Sequence, residues 1–168
     1  RRSDFLVSFC GAMLRGQTVL LPLNDTDGAV AELVAQYPDC YAISSSQRTL
    51  PIDCLNVRSI DYSVARPSGS GGEVVSIPTV PSAHVAAILQ TSGSTDHPQL
   101  HAKTWAALVA GARRLQARLS ITATDALVTT VPAQHMFGLE TSVLLPLQSG
   151  AALVDEQPLF PADVAAAL

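Results

Sequence analysis

Between positions 91 and 95 the chain reads Thr91–Ser92–Gly93–Ser94–Thr95, a run of hydroxyl residues around one glycine. A polyphosphate needs many hydrogen-bond donors in a small space. Such a loop supplies closely spaced main-chain N–H groups and short side-chain donors that can wrap it. The common ATPase loop is excluded because its GxxxxGKS/T spacing is absent, and a serine-hydrolase elbow because no GxSxG surrounds these serines. A plain Ser/Thr/Gly turn after a strand is the alternative on composition alone. Just downstream, Asp96 adds a negative charge and Gln99 an uncharged amide with donors to spare. Lys103, or His101 when protonated, is the nearest source of compensating positive charge, although an ordinary exposed strand-end lysine accounts for Lys103 equally well.

A second place for chemistry is Pro132–Ala133–Gln134–His135–Met136–Phe137–Gly138, where an imidazole stands two residues from an aromatic ring. A lone histidine is ordinarily a buried ring satisfied by backbone groups; the other reading is a ring facing a ligand, with Phe137 beside it. His97 and His101 are four apart, but Pro98 lies between them and forbids the helix that would make them a metal pair. No metal site is expected. The three cysteines, Cys10, Cys40 and Cys54, are odd in number and set among apolar neighbours, which predicts buried reduced thiols.

Elements that alternate in type must position these residues. Ser3 is placed to cap a helix with Leu6, Phe9, Cys10 and Met13 at three- and four-residue spacing and Gly16 at its end. A short buried strand at Thr18–Leu23 follows, then a helix carrying Val30, Leu33, Val34 and Tyr37 behind Asp25, Thr26 and Asp27. Strand candidates at Cys40–Ile43 and, more weakly, Cys54–Val57 precede a Pro/Gly/Ser-rich surface connection at 67–81. His84–Gln90 is a compact apolar strand running straight into the hydroxyl loop. Thr104 then caps a helix with Trp105, Leu108, Val109, Ala112, Leu115 and Leu119 inward and Arg113, Arg114 and Arg118 outward. A strand at Ala126–Val131, a helix from about Phe137 to Gln148 and a strand at Ala151–Val154 complete the pattern, which predicts an α/β layered fold with a mostly parallel sheet flanked by helices.

Taken together, Ala86–Trp105 resembles the phosphate-binding motif of the adenylate-forming (AMP-binding) superfamily, the group of acyl- and aryl-CoA synthetases, peptide-synthetase adenylation domains and luciferases. Their pattern is an apolar strand followed by S/T-S-G-S/T-T-G-x-P-K-G; Thr91, Ser92, Gly93, Ser94, Thr95 and Pro98 match in register, while Asp96 replaces the usual glycine and Gln99 the usual lysine. Val131–Val154 resembles the superfamily's next motif, PxxHxxG followed by a helix and a GAxxV strand, through Pro132, His135, Gly138, Gly150 and Ala151. The opening segment resembles the GALxAGxxxxPLN run through Gly11, Ala12, Gly16, Pro22, Leu23 and Asn24. The resemblance implies ATP phosphate binding by Thr91, Ser92, Gly93, Ser94, Thr95, Gln99 and Lys103. It also implies an acyl pocket at His135, Phe137 and Gly138, with no catalytic residue inside this stretch.

The same resemblance implies that residues 1–168 are part of the large N-terminal domain, without the small C-terminal domain, and that the piece alone is inactive. The implied reaction is ATP-dependent activation of a carboxylic acid as acyl-AMP and transfer to the thiol of coenzyme A or a phosphopantetheinyl carrier protein, with Mg2+ entering on ATP. Amino-acid-activating relatives usually carry an aspartate in the second motif, which Pro132–Gly138 lacks, so an acid without an α-amino group is expected. The wording of Pro98–Trp105 and Gln134–Glu140 is also similar to synthetases of aryl-polyene and xanthomonadin-type pigment pathways, whose substrates are aromatic acids. A degenerate nucleotide-binding module, suggested by Asp96 and Gln99, is the alternative.

The chain is 48% hydrophobic and only 14% charged, an apolar excess that predicts further protein cover. A net charge of −4 and a pI near 5.4 offer no footprint for nucleic acid. The apolar runs are too short to span a bilayer, and Ser3 and Asp4 interrupt the start where a secretory signal would be apolar, so a cytoplasmic location is expected.

Overall fold

The structure, a computed structural model, describes residues 1–44, 49–57, 78–91, 99–156 and 158–167. In chain order it contains α1 (Arg2–Leu14), β1 (Val19–Leu21), α2 (Asp27–Gln36), β2 (Ala42–Ser44), β3 (Cys54–Asn56), β4 (Val85–Thr91) and β5 (Gln99–Thr104). These are followed by α3 (Trp105–Leu119), β6 (Ala126–Leu127), α4 (Met136–Leu139), a π-helical turn (Glu140–Leu144), α5 (Leu145–Ser149), β7 (Ala152–Leu153) and α6 (Pro161–Ala167). The expected α/β architecture is present. The main sheet has the order β1-β4-β5, with β1 parallel and β5 antiparallel to the central β4; β2 pairs with β3 and β6 with β7, both in parallel.

One apolar cluster holds these layers together. It joins Phe9 and Met13 of α1, Leu21 of β1, Ala86, Ala87 and Leu89 of β4, Leu108 and Ala112 of α3, Leu139 of α4, and Val143 and Leu144 of the π-helical turn. Each large side chain so buried contributes about 1.5–3 kcal/mol relative to exposure. The small residues Ala86 and Ala87, both 0% exposed, let the helices approach the middle of the sheet closely.

Capping follows local chemistry in two helices. The hydroxyls of Thr26 and Thr104 accept from the N–H groups of Ala29 and Ala107, three residues on, and satisfy otherwise orphaned donors. The expected Ser3 cap of α1 is corrected: Ser3 lies inside the helix, and its N–H donates to Asp155 Oδ1 at 2.7 Å. A carboxylate from the far end of the chain therefore performs the capping, which no local pattern could signal. Gly16 ends the first helical segment as expected, with φ +68, a left-handed conformation that glycine adopts without strain.

Further departures from the expected pattern follow from particular contacts. The strand expected over Ala126–Val131 stops at Leu127 because the carbonyls of Thr129 and Val131 accept from the Arg2 guanidinium instead of a neighbouring strand. The single helix expected from Phe137 to Gln148 is broken by the wide turn at Glu140–Leu144, where Leu145 N–H reaches back to Glu140 O. Pro146 lacks an N–H and would press on the Ser142 carbonyl in a regular helix, and the wider turn relieves this. Leu119 is 53% exposed and not inward, because the last turn of α3 runs past the core. The cysteine expectation fails in part: Cys10 and Cys40 are half-buried free thiols, and burial pushes the Cys10 thiol pKa up, but Cys54 is exposed.

The expected apolar excess is visible as surface. Phe137, Leu147, Leu159 and Phe160 are each about half or more exposed. The short α6 was not foreseen from the sequence; Asp163 Oδ2 accepts from the N–H groups of Leu159 and Phe160 at its start. The 67–81 connection lies mostly outside the described residues. No described helix is long and apolar enough to cross a membrane.

Candidate functional site

The hydroxyl stretch follows β4, the most deeply buried of the described strands. In β4 the burial is deep at Ala86, Ala87, Leu89 and Gln90 and ends abruptly at Thr91, which is exposed. Across the antiparallel ladder Thr91 faces Gln99, so these two residues stand directly opposite one another at the end of the hairpin. Ser92, Gly93, Ser94 and Thr95, together with Asp96, lie outside the described residues. Gln99, His101 and Lys103 alternate along β5 and share one face. Lys103 faces Ala87, four residues from Gln99, or about 13 Å along an extended strand. The ladder brings Gln99 to Thr91 and sets Lys103 near the opposite end of the hairpin.

Gln90 is a site-building residue that pattern reading missed. It is 8% exposed, and its Oε1 accepts from Leu23 N–H at 3.2 Å, tying the end of β4 to the Pro22–Leu23–Asn24 segment that follows β1. A buried amide in an apolar strand was the available signal, since it must find a partner. The bond couples the first and second matching segments of the sequence at the strand ends.

The second region is built from close backbone packing. His135 N–H donates to Pro132 O at 3.1 Å, and His135 O accepts from Leu139 N–H at 2.8 Å, so the histidine stands at the hinge between a tight turn and α4. Its ring is half-buried, whereas Phe137 is 58% exposed. Gly138 is buried, and a Cβ there would fall 1.9 Å from Pro132 O. Only a residue without a side chain permits this approach of turn and helix. Behind it, Thr141 Oγ1 donates to Phe137 O at 2.8 Å, and the fully buried Ser142 meets Thr129 Oγ1 at 3.0 Å and Arg2. The two regions share the central core, since Leu89 of β4 and Leu139 of α4 belong to one cluster.

No group of three or more His, Cys, Asp or Glu suited to a metal ion occurs among the described residues. Electrostatically the clearest shifts lie beside these regions. Thr122 donates from both its main chain and its hydroxyl to Asp125 and lowers that carboxyl pKa. Burial alone would raise the Asp155 carboxyl, but bonds from Ser3 and the charge of Arg1 bring it below the ordinary value.

No protein-family model and no curated protein matches the chain. Solved structures do. A malonyl-CoA ligase in a ternary product complex with methylmalonyl-CoA and AMP is 23% identical, with a TM-score of 0.76 over 98% of this chain and 35% of that one. The o-succinylbenzoate CoA synthetase MenE from Bacillus subtilis, in complex with ATP and magnesium ion, is 16% identical with a TM-score of 0.78 over 99% and 35%. ATP-bound MatB from Rhodopseudomonas palustris is 19% identical with a TM-score of 0.71 over 96% and 34%. The chain thus spans about a third of the length of each of these structures. At these identities the likeness establishes the fold: the α/β arrangement is that of a part of acid–CoA ligase structures.

Proposed function

We propose that the chain belongs to the large N-terminal domain of an adenylate-forming acid–thiol ligase. The reading rests on one observation above all: a strand buried at the centre of the sheet delivers Thr91, opposite Gln99, to the two ends of the Ser92–Pro98 stretch whose residue types suit phosphate. The shared fold with ATP- and AMP-bound CoA ligases supports it. In the proposed reaction an acid carboxylate attacks the α-phosphorus of ATP in line, giving acyl-AMP as pyrophosphate departs, held by Thr91, Ser92, Gly93, Ser94 and Thr95; a thiolate of coenzyme A or a carrier protein then attacks the acyl carbonyl and AMP leaves. Magnesium arrives with ATP and shields its phosphate charge. Gln99 supplies an uncharged donor at the loop's return, and Lys103, further along the same face, a more distant charge.

On the acid side, His135 with Phe137 and the close-packed Gly138 form the proposed acyl pocket. Pro132–Gly138 carries no carboxylate for a substrate ammonium, which favours an aryl or acyl acid without an α-amino group, with an aromatic acid of the pigment type as the finer proposal. The distance between Lys103 and Gln99, together with Asp96, favours one rival reading, a nucleotide-binding module without catalysis. Pyrophosphate release by the full-length protein, with ATP and a panel of benzoate, cinnamate, octanoate and phenylalanine, separates the two. Acid-dependent release with the first three and not with phenylalanine is expected; ATP binding without acid-dependent release establishes the rival.

A further inference from the structure

We infer that Arg2 is a positioning residue for the acid side of the site, an inference that rests on the reading of His135 given above. Arg2 is 4% exposed although it carries a full charge. Its guanidinium donates to Val131 O at 3.1 Å, to Thr129 O and to Ser142 Oγ, while its Nε has no partner. Among the described residues no carboxylate lies within ion-pair distance of it; burial lowers its pKa, and Asp155 acts in the opposite sense from further away. A buried charge satisfied by neutral oxygens is an expensive way to fill space, and apolar side chains of similar volume commonly stabilise a core as well or better. What the guanidinium offers instead is a planar fork that fixes several acceptors at once.

Those acceptors bracket the histidine. Thr129 and Val131 lead directly into Pro132, whose carbonyl takes the His135 N–H and faces Gly138. Ser142 lies in the π-helical turn on the other side, and its hydroxyl also meets Thr129 Oγ1. One side chain from α1 thus grips both flanks of the 129–142 segment and sets the spacing between the turn and the helix that present His135. The wide turn at Glu140–Leu144, a feature frequent at functional sites, is what brings Ser142 into this grip.

The test uses the full-length protein with Arg2→Met, Arg2→Lys and Ser142→Ala, read in two ways. In NMR spectra the His135 ring and Gly138 amide signals should move in all three, while the Ala29 amide at the distant start of α2 stays. In pyrophosphate-release assays with benzoate, Arg2→Met should raise KM for the acid about tenfold with KM for ATP unchanged, the loss of charged hydrogen bonds to the segment, and Arg2→Lys should recover part of it. Unmoved His135 and Gly138 signals overturn the inference. So does an equal rise in both KM values, or loss of the fold in both Arg2→Lys and Ser142→Ala, either of which reduces Arg2 to a core element. If the unaltered protein shows no acid-dependent release, the ligase reading fails, and the His135 and Gly138 signals still decide whether Arg2 positions the segment.

Discussion

The β4–β5 hairpin and the 129–149 segment differ in how they are held. The hairpin is local: its two strands are neighbours in sequence, its ladder is regular from Ala87 to Thr91 after one register shift next to Val85, and Thr91 and Gln99 emerge where burial ends. The 129–149 segment is fixed by distant groups, by Arg2 from the start of the chain and by a glycine with no room for a methyl group. Chemistry displayed at the end of a rigid hairpin can drift in sequence with little cost to the fold. Residues embedded in close packing, such as Gly138 and Gln90, cannot, and substitutions at packed and at exposed positions should separate stability from binding.

Gly138→Ala should show the largest effect. The added Cβ meets a backbone carbonyl at 1.9 Å, so turn and helix must part, at a cost of about 3 kcal/mol or more. Thermal unfolding should record a fall of many degrees; a variant melting with the unaltered protein would mean that the turn yields freely. Gln90→Ala comes next, since it leaves Leu23 N–H without its buried partner and should cost about 1–3 kcal/mol in chemical denaturation.

On the hairpin, Gln99→Lys should leave the midpoint of unfolding within about 0.5 kcal/mol, because the side chain is exposed. It should lower KM for ATP a few-fold through one added phosphate contact. An unchanged or higher KM would show that charge at this position does not limit nucleotide binding. Asp125 gives the smallest effect, visible only in acid. Its folded pKa lies below the ordinary 3.8, so the stability from its Thr122 bonds is full above that value and is lost as pH falls through the lower folded one. Asp125→Asn should therefore flatten the acid limb of the stability curve and change little at neutral pH; equal acid limbs would assign the loss to other carboxyls.

How much was legible in the sequence divides along the same line. Thr26 and Thr104 announce their helices because a cap acts within three residues, and β4 is readable because burial on both faces produces one apolar run. The Thr91–Thr95 stretch stands out because its hydroxyl residues are contiguous. Ser3 misleads because Asp155 does the capping from the other end of the chain, and β6 is overextended because Arg2 takes the carbonyls of Thr129 and Val131. The antiparallel β5 escapes notice because Gln99–Thr104 is an edge strand with little buried surface. Gly138 is visible as a motif residue, but the reason for it, a carbonyl in the place of its side chain, exists only in three dimensions.

If the hairpin takes the nucleotide and the 129–149 segment the acid, as proposed, His135→Ala should affect one substrate and spare the other. Steady-state pyrophosphate release by the full-length protein should show KM for benzoate raised about tenfold or more, with KM for ATP and the unfolding midpoint nearly unchanged, because the ring is half-buried at a turn and outside the apolar cluster. An equal loss toward ATP and acid, or a variant that no longer folds, would make His135 a structural residue and not part of an acid site.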